Sequence, residues 1–204
     1  MIRDLLPAVT WVTALEGVGV LLGLAYIWLA LRRDRRCWIA GGTGSEIHVF
    51  LSLRVDLPMQ AALRLYYVVL AFYGWRHWSH GAHLRPVGRL ALRYHLLAIA
   101  VGLALSWALA VTVGRVASAA LPFLDAAVMV FSLFAAWLEA RMKLEHWLYW
   151  IVIDGVLVWM LASRGLVLTS LLFATCFVLA CVGYWRWRRT WRGQQAPSAA
   201  PAVA

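Results

Sequence analysis

The segment LLAIAVGLALSWALAVTVG, residues 96–114, contains no ionisable side chain. An apolar run of about 17–25 residues is long enough for an α-helix to cross the hydrocarbon core of a bilayer. Inside that core every backbone amide must be hydrogen-bonded within the protein, which restricts a spanning chain to helices or a closed barrel. We therefore expect this chain to fold as a helical membrane protein.

Six further segments are nearly as apolar, and five of them carry a single charge. They are residues 11–31, 37–53, 58–75, 123–138, 146–162 and 166–185. The composition agrees, because 64% of the residues are hydrophobic and 14% are charged, whereas soluble domains average about 45–50% and about 25%. The sequence predicts an all-α membrane protein with seven transmembrane helices, a multi-pass protein of the bacterial inner membrane.

The formal net charge of +10 follows the topology of the chain and does not indicate a nucleic-acid partner. Fourteen Lys and Arg residues lie after segments 1, 3, 5 and 7, whereas the N-terminus and the alternate loops hold four. Cytoplasmic loops of membrane proteins carry such an excess of basic residues. The pattern predicts an N-terminus outside and a C-terminus in the cytoplasm, which only an odd number of spans allows.

The sequence repeats itself at an offset of 109 positions. The matched pairs include Trp28 and Trp137, Arg32 and Arg141, Trp38 and Trp147, Gly74 and Gly183, and Trp78 and Trp187. The copies begin four segments apart and so share one orientation, which predicts a parallel 3+1+3 repeat. Parallel repeats with a central site near the midplane are a known plan of transporters.

The repeat also predicts the division of the chain. Residues 1–95 form the first three-helix bundle with the basic loop that follows it, and residues 96–122 form a linker helix. Residues 123–192 form the second bundle, and the Pro- and Ala-rich residues 193–204 form a disordered tail.

Three ionisable side chains lie deep inside the predicted spans. Glu46 and Asp154 are roughly 13 Å from the predicted cytoplasmic side, and Arg64 is roughly 9 Å from the outer side. Intramembrane charges are costly and usually functional. Each needs a partner, and whether Arg64 pairs with Glu46 or with Asp154 stays open at this stage.

Aromatic residues indicate a site for a flat ring. Trp147, Trp150 and Asp154 are spaced so that they share one helical face, which suits a cationic or hydroxylated ring. Tyr67 is too deep for the aromatic belt at the membrane interface, and Tyr73 and Trp75 extend the aromatic surface of the first repeat. Four tryptophans near the basic ends are predicted to be interface anchors: Trp78, Trp185, Trp187 and Trp191.

At these residues the chain resembles the PnuC-type family of vitamin transporters. The resemblance rests on YGWRHW (73–78), WLEARMKLEHW (137–147), EHWLYWIVID (145–154) and GYWRW (183–187), and it runs from residue 16 to residue 187. Members carry nicotinamide riboside, and relatives carry thiamine or riboflavin. The resemblance implies seven helices in a 3+1+3, SWEET-like arrangement, facilitated diffusion with alternating access, and trapping by a cytoplasmic kinase. It also implies a homotrimer, with no enzymatic activity and no cofactor.

The resemblance extends to individual positions. Trp147 and Trp150 match the family's ENWxxW motif, and Asp154 falls where members have Asp or Asn. Two residues depart from the pattern, since His146 replaces Asn and Arg64 replaces Gln. Arg64 alone would repel cationic nicotinamide riboside, whereas ionised Glu46 and Asp154 would leave the pocket with a net charge of −1. The predicted substrate site comprises Trp38, Glu46, Arg64, Tyr67, Tyr73, Trp75, His146, Trp147, Trp150 and Asp154.

Three functions are therefore weighed from the sequence. Uptake of nicotinamide riboside is favoured, and transport of another vitamin or nucleoside, such as thiamine or riboflavin, is the alternative raised by Arg64 and His146. A membrane haem or quinone protein is a distant alternative, suggested by the histidines of HWSHGAH (77–83). The expected partners are a small-molecule substrate and the lipid bilayer, with no metal, cofactor or nucleic acid.

Overall fold

The computed structural model describes residues 2–54, 58–80, 83–114 and 122–195, and these residues form seven helices. The helices are α1 (Ile2–Leu31), α2 (Cys37–Arg54), α3 (Pro58–Trp78), α4 (Leu92–Gly114), α5 (Pro122–Ala140), α6 (His146–Ser163) and α7 (Val167–Gln195). Two short strands, β1 (Ser79–His80) and β2 (His83–Leu84), pair antiparallel after α3. Each predicted span thus corresponds to one helix.

Five of these helices, α1 and α4 to α7, are long and apolar enough to cross a membrane. In α2 and α3 the apolar residues are mixed with small and polar ones, such as GGTGSE at 41–46 and Arg64. The last helix, α7, includes Gly193 and continues to Gln195, three residues into the predicted tail. The rest of the predicted tail, residues 196–204, lies outside the described residues.

Six helices pack in a closed ring. Around the ring α1 contacts α2, α2 contacts α3, α3 contacts α5, α5 contacts α6, α6 contacts α7, and α7 contacts α1. The remaining helix, α4, packs against α5. The ring therefore consists of two groups of three consecutive helices, which meet at two seams, α3 with α5 and α7 with α1.

The turns after α1 and α5 have the same backbone conformation. Arg33 and Met142, 109 positions apart, have positive φ angles of 56° and 54°. Their amides donate to the carbonyls of Ala30 and Glu139, at 2.9 and 2.8 Å. The next amide in each turn donates to the carbonyl five residues back, which completes a Schellman motif in both repeats. The repeat seen in the sequence therefore extends to the backbone hydrogen bonds.

Four tryptophans form a buried layer at the end of the ring where the basic loops lie, which we call the basic end. This tryptophan layer consists of Trp38, Trp78, Trp147 and Trp187. The ring centroids of Trp78 lie 5.4 Å from those of Trp38 and 5.7 Å from those of Trp187, and Trp147 lies 5.9 Å from Trp187. Edge-to-face contacts at such distances stabilise aromatic pairs beyond the area that they bury.

Two hydrogen bonds from this layer cross the two seams. Trp78 Nε1 on α3 donates to the Glu139 carbonyl on α5 at 3.1 Å, and Trp187 Nε1 on α7 donates to the Ala30 carbonyl on α1 at 3.1 Å. Both donors and both acceptors are 109 positions apart. Equivalent hydrogen bonds therefore join the neighbouring helices at the two seams.

The prediction that Trp78 and Trp187 are interface anchors was wrong. The two side chains are only 0% and 1% exposed, because Gly74 and Gly183 one turn earlier let a tryptophan of the neighbouring helix approach closely. A Cβ atom at Gly183 would lie 2.7 Å from the Trp147 ring, and one at Gly74 would clash with Trp38. Trp185, which is 52% exposed, does face outward as an anchor would.

The segment that follows β2 is hydrogen-bonded to the turn between α5 and α6, which connects the first bundle to the second at the basic end. Gly88 N–H donates to the Met142 carbonyl at 3.0 Å, and the Leu144 amide donates to the Gly88 carbonyl at 2.9 Å. Arg89 Nε donates to the buried carboxylate of Glu145 at 2.9 Å, and that carboxylate also accepts the Leu90 amide at 3.2 Å.

The two seam bonds should contribute equally to stability. Replacing either Trp78 or Trp187 by Phe removes one hydrogen bond of about 1 kcal/mol, besides some packing. For a chain of this length each kcal/mol corresponds to about 2–4 °C in the melting temperature. We expect Trp78→Phe and Trp187→Phe to lower the melting temperature of detergent-purified protein by at least this amount, and to similar extents. Trp185→Phe is the matched control, and an equal loss in this control would contradict the assignment.

Candidate functional site

A cavity of about 220 Å³ lies inside the ring, between α1, α2 and α3 on one side and α5 and α6 on the other. It starts at Trp38 of the tryptophan layer and extends away from the basic end towards His48 and Arg64. Fifteen of the described residues line it: Gly19, Gly23, Tyr26, Trp38, Ala40, Gly41, Gly44, Ser45, His48, Arg64, Tyr67, Leu70, Ala71, Ala136 and Trp150. Ligand pockets usually measure about 300–1,000 Å³, so this cavity suits a small ligand.

Four glycines create the space on the side of the first bundle. The cavity is lined by Gly19 and Gly23 of α1 and by Gly41 and Gly44 of α2. The equivalent positions of the second repeat, 109 residues later, are occupied by Val128, Ser132, Trp150 and Ile153. Glycine leaves space in the first bundle, whereas larger side chains occupy the equivalent positions in the second. The cavity is therefore displaced from the centre of the pseudosymmetric ring towards the first bundle.

Glu139 supports the aromatic wall of the cavity from behind. Its side chain, only 1% exposed, accepts a hydrogen bond from Trp150 Nε1 at 3.3 Å and is also hydrogen-bonded by Tyr26. The carboxylate therefore joins α1, α5 and α6 and orients two rings that face the cavity.

Sequence reasoning missed Glu139. It lies one residue beyond the predicted fifth span, and a charge at a span end looks like an ordinary boundary residue. The signal that could have found it is its position at the end of an apolar helix next to the repeat-matched Trp137 and Leu138, since ionisable residues buried in membrane helices mark functional sites by default.

The far end of the cavity is polar. Arg64 lies close enough to His48 to act on it electrostatically, and no ion pair joins Arg64 to another residue of the described ranges. Tyr67, one turn along α3 from Arg64, is hydrogen-bonded to Ser132 of α5. This contact places a second aromatic ring of the first bundle against the second bundle.

Four of the ten predicted site residues line the cavity, namely Trp38, Arg64, Tyr67 and Trp150. Trp147 belongs to the tryptophan layer, and His146 is buried beside it, with its ring centroid 4.8 Å from that of Trp187. Tyr73 stacks on His77, and Trp75 lies beneath the guanidinium of Arg35.

The predicted pairing of Arg64 with Glu46 or Asp154 is not seen among the described residues. Glu46 is exposed on the outer face of α2, whereas its neighbour Ser45 lines the cavity, because consecutive residues of a helix point about 100° apart. Asp154 is the counterpart of Ser45 in the second repeat, and it is buried near Cys176 of α7 instead of facing the cavity. Neither carboxylate therefore offsets the charge of Arg64 there.

A ring of apolar helices around a small cavity, built from two groups of three consecutive helices, is the architecture of a multi-pass membrane protein of the transporter class. The sequence profile of the nicotinamide mononucleotide transporter family matches residues 13–189. The chain belongs to this family, the PnuC-type vitamin transporters of the cell membrane.

Individual relatives share moderate similarity over most of the chain. The nicotinamide riboside transporter PnuC of Escherichia coli is 23% identical over 201 residues, which cover 85% of this chain and 84% of the relative. The riboflavin/roseoflavin transporter RibM of Streptomyces davaonensis is 26% identical over 186 residues, 83% of this chain and 82% of the relative. The crystal structure of the vitamin B3 transporter PnuC matches the fold with a TM-score of 0.68 at 19% identity, over 94% of this chain and 88% of that one.

The role of Glu139 as a hydrogen-bond acceptor can be tested by stability. Glu139→Leu leaves the buried donors of Trp150 and Tyr26 without an acceptor, at a cost of about 1–3 kcal/mol each. We expect it to lower the melting temperature by several degrees, whereas Glu139→Gln keeps one acceptor oxygen and should lose much less. Glu46→Leu, which removes an exposed carboxylate, is the control and should leave the melting temperature unchanged. Equal melting temperatures for Glu139→Leu and Glu139→Gln would show that the hydrogen bonds contribute nothing.

Proposed function

We propose that this protein carries a small, ring-bearing vitamin or nucleoside of the nicotinamide riboside type across the membrane through the cavity. The observation that supports this most directly is a cavity lined by both repeats and bounded at the basic end by the tryptophan layer. Aromatic side chains from both bundles line it, Trp38 and Tyr67 from the first and Trp150 from the second, and they can hold a flat ring between them. Riboflavin is the second candidate because of the similarity to RibM, although three fused rings need more room than about 220 Å³.

The proposed mechanism is alternating access by rocking of the two three-helix bundles about the cavity. The bundles meet at two seams, each closed at the basic end by one tryptophan–carbonyl hydrogen bond. With the basic end in the cytoplasm, the structure corresponds to a state closed towards the cytoplasm. Opening would break the two bonds together, because they are equivalent in the two repeats.

The tryptophan layer also contains groups that favour its opening. Trp38 Nε1 and Trp147 Nε1 are buried and have no acceptor among the described residues. A buried donor without a partner destabilises the state in which it occurs by about 1–3 kcal/mol. The two orphaned donors are equivalent in the two repeats, so both bundles would gain when the layer separates and the donors reach water or ligand.

The finer topology is part of the same proposal. It comprises seven membrane spans in a parallel, SWEET-like 3+1+3 arrangement, with the N-terminus outside and the C-terminus in the cytoplasm. The equivalent turns at Arg33 and Met142 and the equivalent seam bonds support the repeat, and the basic loops support the orientation. The domain limits of 1–95, 96–122 and 123–192 follow from it. The homotrimer that the resemblance implies stays a prediction.

Transport itself is tested by uptake into proteoliposomes. We propose facilitated diffusion, followed in the cell by phosphorylation that traps the substrate in the cytoplasm. Radiolabelled nicotinamide riboside or riboflavin should enter vesicles containing the protein saturably, without an ion gradient, and stop at equal concentrations inside and outside. Uptake equal to that of empty vesicles for both ligands would contradict the proposal. Accumulation of the labelled ligand only under a proton gradient would indicate proton symport instead of facilitated diffusion.

Filling the cavity should block transport without disturbing the fold. A Cβ atom at Gly23 meets no other atom within 4 Å, and the residue lines the cavity. We expect Gly23→Leu to reduce proteoliposome uptake at least about tenfold, because the new side chain occupies space in the cavity that the ligand needs. Gly17→Leu is the matched control, since Gly17 also lies on α1 with open space around it but does not line the cavity. Equal uptake by the two variants would place the transport route elsewhere.

Substitutions of Trp150 and Asp154, the two predicted site residues one turn apart on α6, should affect ligand binding differently. Trp150 faces the cavity, and Trp150→Ala should weaken binding of a ring ligand at least about tenfold, which corresponds to about 1.4 kcal/mol and is typical of a stacking or cation–π contact. Asp154 lies away from the cavity, and Asp154→Asn should leave the dissociation constant within about twofold. Calorimetry on detergent-purified protein measures both, with retained melting temperature as the control. A larger loss for Asp154→Asn than for Trp150→Ala would restore the site predicted from the sequence.

A further inference from the structure

The lining of the cavity is basic, with Arg64 as its charged group. Among the described residues the lining contains Arg64 and His48 but no Asp or Glu. Glu139 lies behind the wall, where Trp150 and Tyr26 already donate to it. Glu16 acts electrostatically on His48, but it is exposed on α1 and does not line the cavity.

This arrangement has two chemically different ends. The aromatic side chains of Trp38, Tyr26 and Trp150 line the end near the tryptophan layer. An aromatic ring attracts a positively charged ring placed over its face. Arg64 lies at the other end, and its guanidinium donates through a planar fork that matches a carboxylate. Inside a membrane protein the low dielectric strengthens such a charge-assisted pair. The positive charge of Arg64 raises the energy of a bound ligand whose only charge is positive.

We propose that Arg64 determines specificity by binding a carboxylate on the ligand, so that the cavity prefers a pyridine nucleoside acid to the corresponding amide. This inference rests on the proposed function and names its substrate class. The pyridinium ring lies against the aromatic end, and the ring carboxylate faces Arg64. Such a ligand is a zwitterion, and both of its charges then meet a matching group.

The matched ligand pair is nicotinate riboside and nicotinamide riboside, which differ only in carboxylate against amide. Calorimetry on the detergent-purified full chain should show at least about tenfold tighter binding of the acid. Arg64→Gln should abolish or reverse that preference, whereas Arg64→Lys, which keeps the charge but loses the planar fork, should retain part of it. Arg32→Gln is the control, because Arg32 is exposed over Trp28 at the basic end, and it should keep the full preference.

Two results would overturn the inference, and they have different consequences. If the wild type and Arg64→Gln both prefer the amide to the same extent, Arg64 does not select a carboxylate, but the proposed transport of pyridine nucleosides stands. If neither riboside binds and neither enters proteoliposomes, the inference and the nicotinamide riboside assignment fail together. The melting temperature of each variant, measured alongside, confirms that a lost preference does not reflect unfolding.

Discussion

Two equivalent hydrogen bonds, from Trp78 to the Glu139 carbonyl and from Trp187 to the Ala30 carbonyl, hold the two halves of this protein together at the basic end. In lipid there is no hydrophobic driving force between helices, so close packing and interhelical hydrogen bonds determine how they associate. Glycines at 74 and 183 allow that packing, since any side chain there would collide with the neighbouring indole. The closed end of the cavity, the position of the seams and the proposed gate all depend on this layer.

The duplicated halves have diverged around the cavity. At the basic end the two repeats keep the same turns, the same tryptophans and the same hydrogen bonds. Next to that layer they differ, with glycine at 19, 41 and 44 in the first repeat and Val128, Trp150 and Ile153 in the second. Symmetry is retained at the tryptophan layer, where the proposed mechanism separates both bundles together, and it is lost at the cavity, where the proposed ligand is asymmetric. The cavity between the two bundles therefore has an aromatic end and a basic end.

The sequence alone was sufficient for the helices and for the repeat, because both depend on patterns that extend over many residues. Apolar runs located all seven helices, and the offset of 109 identified the pairs that the structure shows to be equivalent. The faces of the helices were harder to predict. In a membrane protein apolar residues surround each helix on all sides, so periodicity did not show that Ser45 faces inward while Glu46 faces outward.

Individual side chains were also misjudged where burial depends on a neighbour distant in sequence. Trp78 resembles a belt residue until Gly74 and Trp38 are placed beside it, and Glu139 resembles a boundary charge until Tyr26 and Trp150 donate to it. The aromatic candidates Trp38, Tyr67 and Trp150 line the cavity, and their contact with a substrate stays a prediction. Depth identified Tyr67 and Trp150, because both lie further inside the membrane than the aromatic belt at the interface.

The rocking of two bundles about the cavity is tested most directly by measuring the distance between them. Spin labels at positions 32 and 141, equivalent and exposed at the basic end, can be introduced after replacement of Cys37, Cys176 and Cys181, provided that the variant still transports. Double electron–electron resonance in lipid vesicles should then show two populations of the distance between the labels. Addition of ligand should change the fraction of molecules in the population with the longer distance. A single distance that stays the same with and without ligand, in protein that transports, would contradict the mechanism.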